Sequence, residues 1–306
     1  MKSTINKTIS LSSLSDEEIK TYKEYISDHF ELNENSVICG DFFNINPQIP
    51  DNYVNLILLD PPYNLSKTYG ETTFKSMSDE DYFNYSVDIF KQCLRTLKDN
   101  GTMYVCGDWK TSYIQRKALE FLEKQGECDV INRITWSRDK GRGSLNNWKN
   151  NIEDIYMVVK DKNNYVFNIE DVKIRKKVLA PYKDKQGNNK DWETTEEGNV
   201  RMTYPSNIWF DIVIPFWSMA ENTTHPTQKP EKLYAKLILA SSNENDVVYE
   251  PFAGVFTGCV TAQKLHRNWI GIEYENEYCI IGQKRLCNAE ISNTIQGYED
   301  GVFRDK

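Results

Sequence analysis

The chain carries a series of short apolar runs, most closed by an acid or a glycine and followed by a stretch of helical period. Leu56-Ile57-Leu58-Leu59 is the strongest. Four apolar residues in a row suit a strand buried on both faces, expected to span Val54 to Leu59. Asp60 ends it. Pro61 and Pro62 follow, cannot donate to a ladder, and make the chain leave the sheet stiffly. Further strands are expected at Val37–Cys39, Thr102–Cys106, Val130–Trp136, Ile152–Val159, Asp246–Glu250 and Trp269–Glu273. Helical spacing marks Ser78–Leu97, where Phe83, Val87, Phe90, Leu94 and Leu97 share a face. It also marks Thr111–Gln125, Lys229–Ser242, Thr257–Leu265 and Glu277–Ala289. Ser13–Phe30 reads as a helix capped by Ser15, with Asp16, Glu17 and Glu18 in its first turn. Asn100-Gly101 reads as a helix stop, Leu65–Met77 as a mobile loop and the tail after Ile291 as frayed.

Residues 161–224 break the alternation, which resumes afterwards. That order predicts an α/β fold: a doubly wound, mostly parallel, Rossmann-like sheet with an inserted region. The chain then divides into an N-terminal helical extension (1–35), a first half (36–160), the insertion (161–224), a second half (225–291) and a tail (292–306).

Composition changes this picture in one place. The net charge is −8 and the pI about 5.2, which argues against a dedicated nucleic-acid binder. Yet Arg133 to Lys190 holds 14 Lys/Arg against 7 Asp/Glu, consistent with a local polyanion-binding face. The seven cysteines are scattered and include no C-x-x-C pair, so they read as reduced thiols; no metal site is expected. With no signal-like N-terminus and no apolar run approaching about 18 residues, a cytoplasmic protein without a membrane partner is expected.

Chemistry is expected at the carboxyl ends of the strands, where open α/β sheets bind ligands. Asp60-Pro61-Pro62-Tyr63 offers a carboxylate, rigid carbonyls and a flat ring there. Glu250-Pro251-Phe252-Ala253-Gly254 joins a strand to a helix through a glycine turn, as a nucleotide-type cofactor cradle does. Glu273, at the end of the next strand, is placed to grip ribose hydroxyls.

Asp60-Pro61-Pro62-Tyr63, then the basic middle, then His225-Pro226-Thr227-Gln228-Lys229-Pro230, then Glu250-Pro251-Phe252-Ala253-Gly254 resembles the β-group amino methyltransferases of DNA. Pro205-Ser206-Asn207-Ile208-Trp209 adds to the likeness, which covers roughly residues 36–290. The resemblance implies S-adenosylmethionine as cofactor, double-stranded DNA as substrate and a flipped base. It makes residues 36–160 the catalytic half and 225–291 the cofactor half. Asp60 and the Pro61 carbonyl would hold the two N–H groups of the base's amine, Pro62 would stiffen the turn, and Tyr63 would stack on the base. Asp41 and Phe42 would lie near the cofactor's adenine, and Asp60 would border the cofactor as well as hold the amine. Thr227 and Lys229 would lie near its methionine end, with Lys229 meeting the carboxylate. Glu250, Phe252, Ala253 and Gly254 would line the methionine, and Glu273 would bind the ribose; His225 reads as structural. Phosphate contacts are expected from Arg138, Lys140, Arg142 and Lys149, and from Lys173, Arg175, Lys176 and Lys177 in the insertion, which would read the target sequence.

The implied activity is adenine-N6 methylation within a restriction–modification system, with a cognate endonuclease as partner and the enzyme a monomer or homodimer. N4-cytosine methylation and a DNA-binding pseudo-methyltransferase are the alternatives. Methylation of protein glutamine fits less well, because those enzymes carry Asn at the position of Asp60. One departure stands out: the family has a small residue, most often Gly, where this chain has Phe256. Either the loop is reshaped with Phe256 turned into the core, which we expect, or cofactor affinity is poor.

Overall fold

The computed structural model describes residues 6–31, 35–138, 143, 145–178, 182–196 and 198–304. Its centre is a nine-stranded sheet of β1 (Ile26–Ser27), β2 (Ser36–Cys39), β3 (Val54–Leu59), β4 (Leu97–Asp108), β5 (Asp129–Ser137), β6 (Ile152–Val159), β7 (Ile208–Trp209), β8 (Val247–Glu250) and β9 (Asn268–Glu273). The spatial order is β1-β2-β9-β8-β3-β4-β6-β5-β7. β6 runs antiparallel to β4 and β5, and the other pairings are parallel. From β3 the chain winds outward through β4; from β8, β3's neighbour, it winds the other way through β9. The carboxyl ends of β3 and β8 therefore flank a topological switch point.

The apolar run of β3 is buried on both faces, as its composition requires. Leu56 and Leu58 belong to one core with Val248, Leu237 and Val260; Ile57 and Leu59 belong to the other with Phe90, Leu94 and Leu119. The helices are α1 (Asp16–Lys23), α2 (Phe42–Ile45), α3 (Asp79–Thr96), α4 (Thr111–Gln125), α5 (Glu231–Ser241), α6 (Thr257–Lys264) and α7 (Asn276–Ile291). Apolar residues of α3 and α4 cover one face, and those of α5, α6 and α7 the other. Ser78 caps α3 by accepting from the Asp81 N–H, and left-handed Gly126 ends α4.

Four expectations need correction. The N-terminal helix stops at Lys23, after a Ser15–Glu18 capping box, because Ile26–Ser27 joins the sheet edge beside β2. Asn100-Gly101 does not stop a helix. α3 ends at Thr96, and β4 runs through Asn100 and Gly101. Residues 65–77 contain a hairpin, Lys67–Tyr69 against Thr72–Phe74. The tail is not frayed: Val302–Arg304 pairs parallel with Ile174–Lys177 in a second, five-stranded sheet. That sheet also holds Glu193–Thr195, Gly198–Thr203 and Tyr298–Glu299, so it joins the inserted region to the end of the chain. Phe303, fully buried, pins the joint. No helix among the described residues is long and apolar enough to cross a membrane.

Phe303→Ala should lower stability by about 3–5 kcal/mol, the usual loss for a buried Phe. Denaturant unfolding monitored by circular dichroism checks this; a tail that only frays would leave the midpoint unchanged.

Candidate active site

Asp60 leaves the end of β3 into a compact buried cluster. Its Oδ2 lies 2.6 Å from Lys229 Nζ, and its Oδ1 lies 3.0 Å from the Tyr63 hydroxyl. The same hydroxyl lies 3.0 Å from Glu153 Oε2 and 3.2 Å from Lys229 Nζ. Lys229 Nζ is 3.4 Å from Glu153 Oε2, and Arg138 Nη1 donates to Glu153 Oε1 at 2.8 Å. Burial pushes the Asp60 carboxyl up, while the adjacent Lys229 ammonium pulls it down. Burial alone would lower the Lys229 ammonium, but Asp60 and Glu153 carry it above the ordinary lysine value. Burial also raises the Tyr63 hydroxyl well above its usual value, so it stays protonated. Tyr82 donates to the Pro62 carbonyl at 2.9 Å and anchors the turn.

Two contacts here were not foreseen in the sequence. Lys229, expected at the cofactor's carboxylate, directs its ammonium to Asp60. Tyr63, expected to offer its face, is also tied down through its hydroxyl to both carboxylates. Glu153 was not anticipated at all. It is the second residue of the Ile152–Val159 run, and only the antiparallel placement of β6 beside β4 carries it to the end of β3.

A cavity of about 580 Å³ opens at the switch point. Its wall contains all ten expected cofactor residues: Asp41, Phe42, Asp60, Thr227, Lys229, Glu250, Phe252, Ala253, Gly254 and Glu273. Such a volume suits a nucleoside-sized ligand. Phe42 and Phe252 stack at 5.0 Å, an apolar slab beside Asp41, whose carboxylate caps α2 through the Phe43 N–H. Glu273 accepts from the Gly254 and Glu275 N–H groups at 2.7 and 2.9 Å, and burial raises its carboxyl to about 7. Glu250 is committed differently: its carboxylate accepts the Gly258 and Cys259 N–H groups at the start of α6, while burial raises it to about 8. His225 packs edge-on to Tyr278 and parallel to Tyr69. Burial and the Lys229 and Lys67 charges lower it to about 3, so the ring is neutral. The hairpin closes the cavity's side, with Glu71 and Thr72 N–H groups donating to Glu275 and the Gly70 N–H to Tyr278.

Phe256 resolves the departure in the cofactor loop. Its φ of 60° lies in the left-handed region that favours glycine, and its ring turns into the core as expected. Its ring is fully buried between Gly271 of β9 and Gly282 of α7, where a Cβ at either glycine would strike it. A left-handed non-glycine residue costs about 1–2 kcal/mol, and burying a Phe side chain returns about 1.5–3 kcal/mol. The ring's burial therefore holds the backbone in place, and Gly254 keeps its own positive φ of 52° beside His225.

The expected phosphate contacts divide. Lys140 and Arg142 lie outside the described residues. Arg138 turns inward to Glu153, and Lys173 bonds Glu170 at 2.7 Å under the Tyr204 ring. Lys149, Lys176 and Lys177 are exposed, and Arg175 is half-buried on the same strand as the last two.

A DNA methylase family model matches residues 54–284, from the start of β3 into α7. The chain belongs to the N6/N4 DNA methylase family. It is 32% identical over 251 residues to the Type II methyltransferase M.HpaI of Haemophilus parainfluenzae, covering 82% of this chain and 73% of that one. It is 31% identical over 259 residues to the DNA adenine methyltransferase YhdJ of Escherichia coli, covering 82% of each. Among solved structures, the PvuII cytosine-N4-specific DNA methyltransferase matches with a TM-score of 0.63 at 17% identity, over 87% of this chain and 90% of that one, which shows the shared fold. As a DNA methyltransferase of this family, the protein uses S-adenosylmethionine, whose sulfonium supplies the methyl group. The cavity fits that group. It offers an aromatic slab, a glycine turn, and a buried carboxylate, Glu273, able to accept the two donors of a ribose diol.

Only the ionised form of Glu273 could accept both hydroxyls of a ribose diol, and burial raises its carboxyl to about 7. Cofactor affinity should therefore fall as pH drops through about 7, approaching tenfold per unit below it, and Glu273→Gln should flatten that dependence. Calorimetric titration at pH 6, 7 and 8 checks the sign. Phe256→Gly should cost about 2–3 kcal/mol of stability, a cavity loss less the strain relieved, while the folded fraction still binds cofactor.

Proposed function

We propose that this protein is a site-specific, adenine-N6 DNA methyltransferase acting on a base flipped out of double-stranded DNA in the cytoplasm, paired with a restriction endonuclease of the same specificity. The observation that carries the reading is the convergence of Asp60-Pro61-Pro62-Tyr63, Gly254 and Glu273 on one cavity. An acid as the first residue of the D-P-P-Y turn supports adenine, and so does the relative named as an adenine methyltransferase.

An exocyclic amine is a poor nucleophile because its lone pair is delocalised into the ring. The Asp60 carboxylate and the Pro61 carbonyl accept its two N–H groups and localise that pair. Tyr63 and Lys229 fix the Asp60 carboxylate, so its free lone pairs point one way without reorganisation during reaction. Asp60 need not be a strong base, since the nitrogen can lose its proton after methylation. Residues 161–224 read the target sequence, with Lys149, Lys176 and Lys177 meeting phosphates.

Asp60→Ala should abolish methyl transfer while S-adenosylmethionine affinity stays within a few-fold of the parent. Plasmid DNA methylated by the wild-type protein should yield N6-methyladenine by nucleoside mass spectrometry. N4-methylcytosine would overturn the adenine reading, and DNA binding without turnover would overturn catalysis.

A further inference from the structure

Five groups meet at the end of β3, and four of them carry charge: Asp60 and Glu153 against Lys229 and Arg138. Glu153 touches three of the other members. Its Oε2 faces Tyr63 and Lys229, its Oε1 faces Arg138, and it is 4% exposed. The two carboxylates balance the two cations, and the side chains of Lys229 and Glu153 are each 5% exposed. Lys67, the next cation out, is half-buried and forms no ion pair with either carboxylate among the described residues.

Methyl transfer moves one unit of positive charge towards the amine held at Asp60. The charge of this cluster therefore acts directly on the barrier, because the amine is held against one of its members. Without Glu153 the cluster would change from neutral to +1. Lys229 would then hold Asp60 alone, and the arriving positive charge would meet a cation without its counter-ion. Tyr63 would also lose one of its two carboxylate partners, and its hydroxyl would turn wholly to Asp60 and compete with the amine for the same oxygen.

We propose that Glu153 is a positioning residue of the methyl-transfer site: it neutralises Lys229 and Arg138 so that Asp60 remains free to accept the amine. It touches neither base nor cofactor in this role. The proposal rests on the reading of Asp60 as the amine's holder.

The test compares wild type, Glu153→Gln, Glu153→Asp and the double variant Arg138→Gln/Glu153→Gln. Single-turnover methylation is measured at saturating DNA. Calorimetry measures binding of S-adenosylmethionine and of uncharged S-adenosylhomocysteine. Glu153→Gln should transfer about 10- to 100-fold more slowly, by the electrostatics of an uncompensated buried charge. Its affinity for S-adenosylhomocysteine should stay within about twofold, while affinity for the charged sulfonium falls several-fold relative to it. The double variant, neutral again, should recover about fivefold or more of the rate and restore the binding ratio. Glu153→Asp, which keeps the charge, should lie nearer wild type than Glu153→Gln does.

A Glu153→Gln rate within twofold of wild type overturns the proposal. So does equal weakening of both ligands, or a double variant slower than the single. If Glu153→Gln fails to fold, the aspartate and the neutral double decide: a loss of more than about tenfold in both, with charge balance kept, overturns it. An Asp60→Ala variant that still transfers methyl overturns the base-holding reading itself, a separate outcome.

Discussion

The constraint on which the site depends is the burial of two carboxylates, Asp60 and Glu153, within reach of one hydroxyl and one ammonium. Taken alone, two acids this close would repel. Lys229 makes the arrangement stable by contacting both, and Arg138 completes the outer side of Glu153. Removing one partner of such a pair typically costs about 3–5 kcal/mol, because the remaining charge stays buried. The cluster therefore ties four parts of the chain together: the exit of β3, the strand β6, the start of the loop after β5 and the lead-in to α5. It also holds Asp60 in one orientation.

The cofactor side obeys a different constraint, that of close backbone approach. Gly254 meets His225 so closely that a side chain would press on the ring, and the turn needs positive φ at both Gly254 and Phe256. The chain satisfies this with a residue that strains the backbone locally and repairs the loss through packing. Gly271 and Gly282 lie far from Phe256 in sequence, yet both lack the side chain that would exclude its ring. The unusual residue in the loop and two ordinary-looking glycines elsewhere are one packing solution.

The end of the chain belongs with its middle. Val302–Arg304 lies beside Ile174–Lys177, and buried Phe303 pairs with Ile174 in the register. The strand carrying Arg175, Lys176 and Lys177 is thus braced on one side by Gly198–Thr203 and on the other by the tail. A basic strand presented to a polyanion gains from such bracing, because fewer of its side chains must be ordered at the moment of contact.

Local signals determined much of this protein. Seven of the central strands, and every long helix from α3 onward, were legible in runs of like residues and caps. Leu56 to Leu59 alternate between two cores because a parallel strand at the sheet centre has no solvent face. Asp60-Pro61-Pro62-Tyr63 and the loop at Gly254 were legible because stiff or glycine turns leave their mark within a few residues. Only the tertiary structure decided what those residues face. Lys229 reads the same whether it meets a cofactor carboxylate or Asp60, and its choice follows from where α5 begins relative to β3. Glu153 sits in an ordinary strand pattern, and no neighbour in sequence announces Tyr63 or Arg138 as its partners. The tail's pairing and the pocket around Phe256 likewise join residues far apart in the chain. Local propensity records neither, because it senses a backbone's own preferences and not the surfaces that folding brings together.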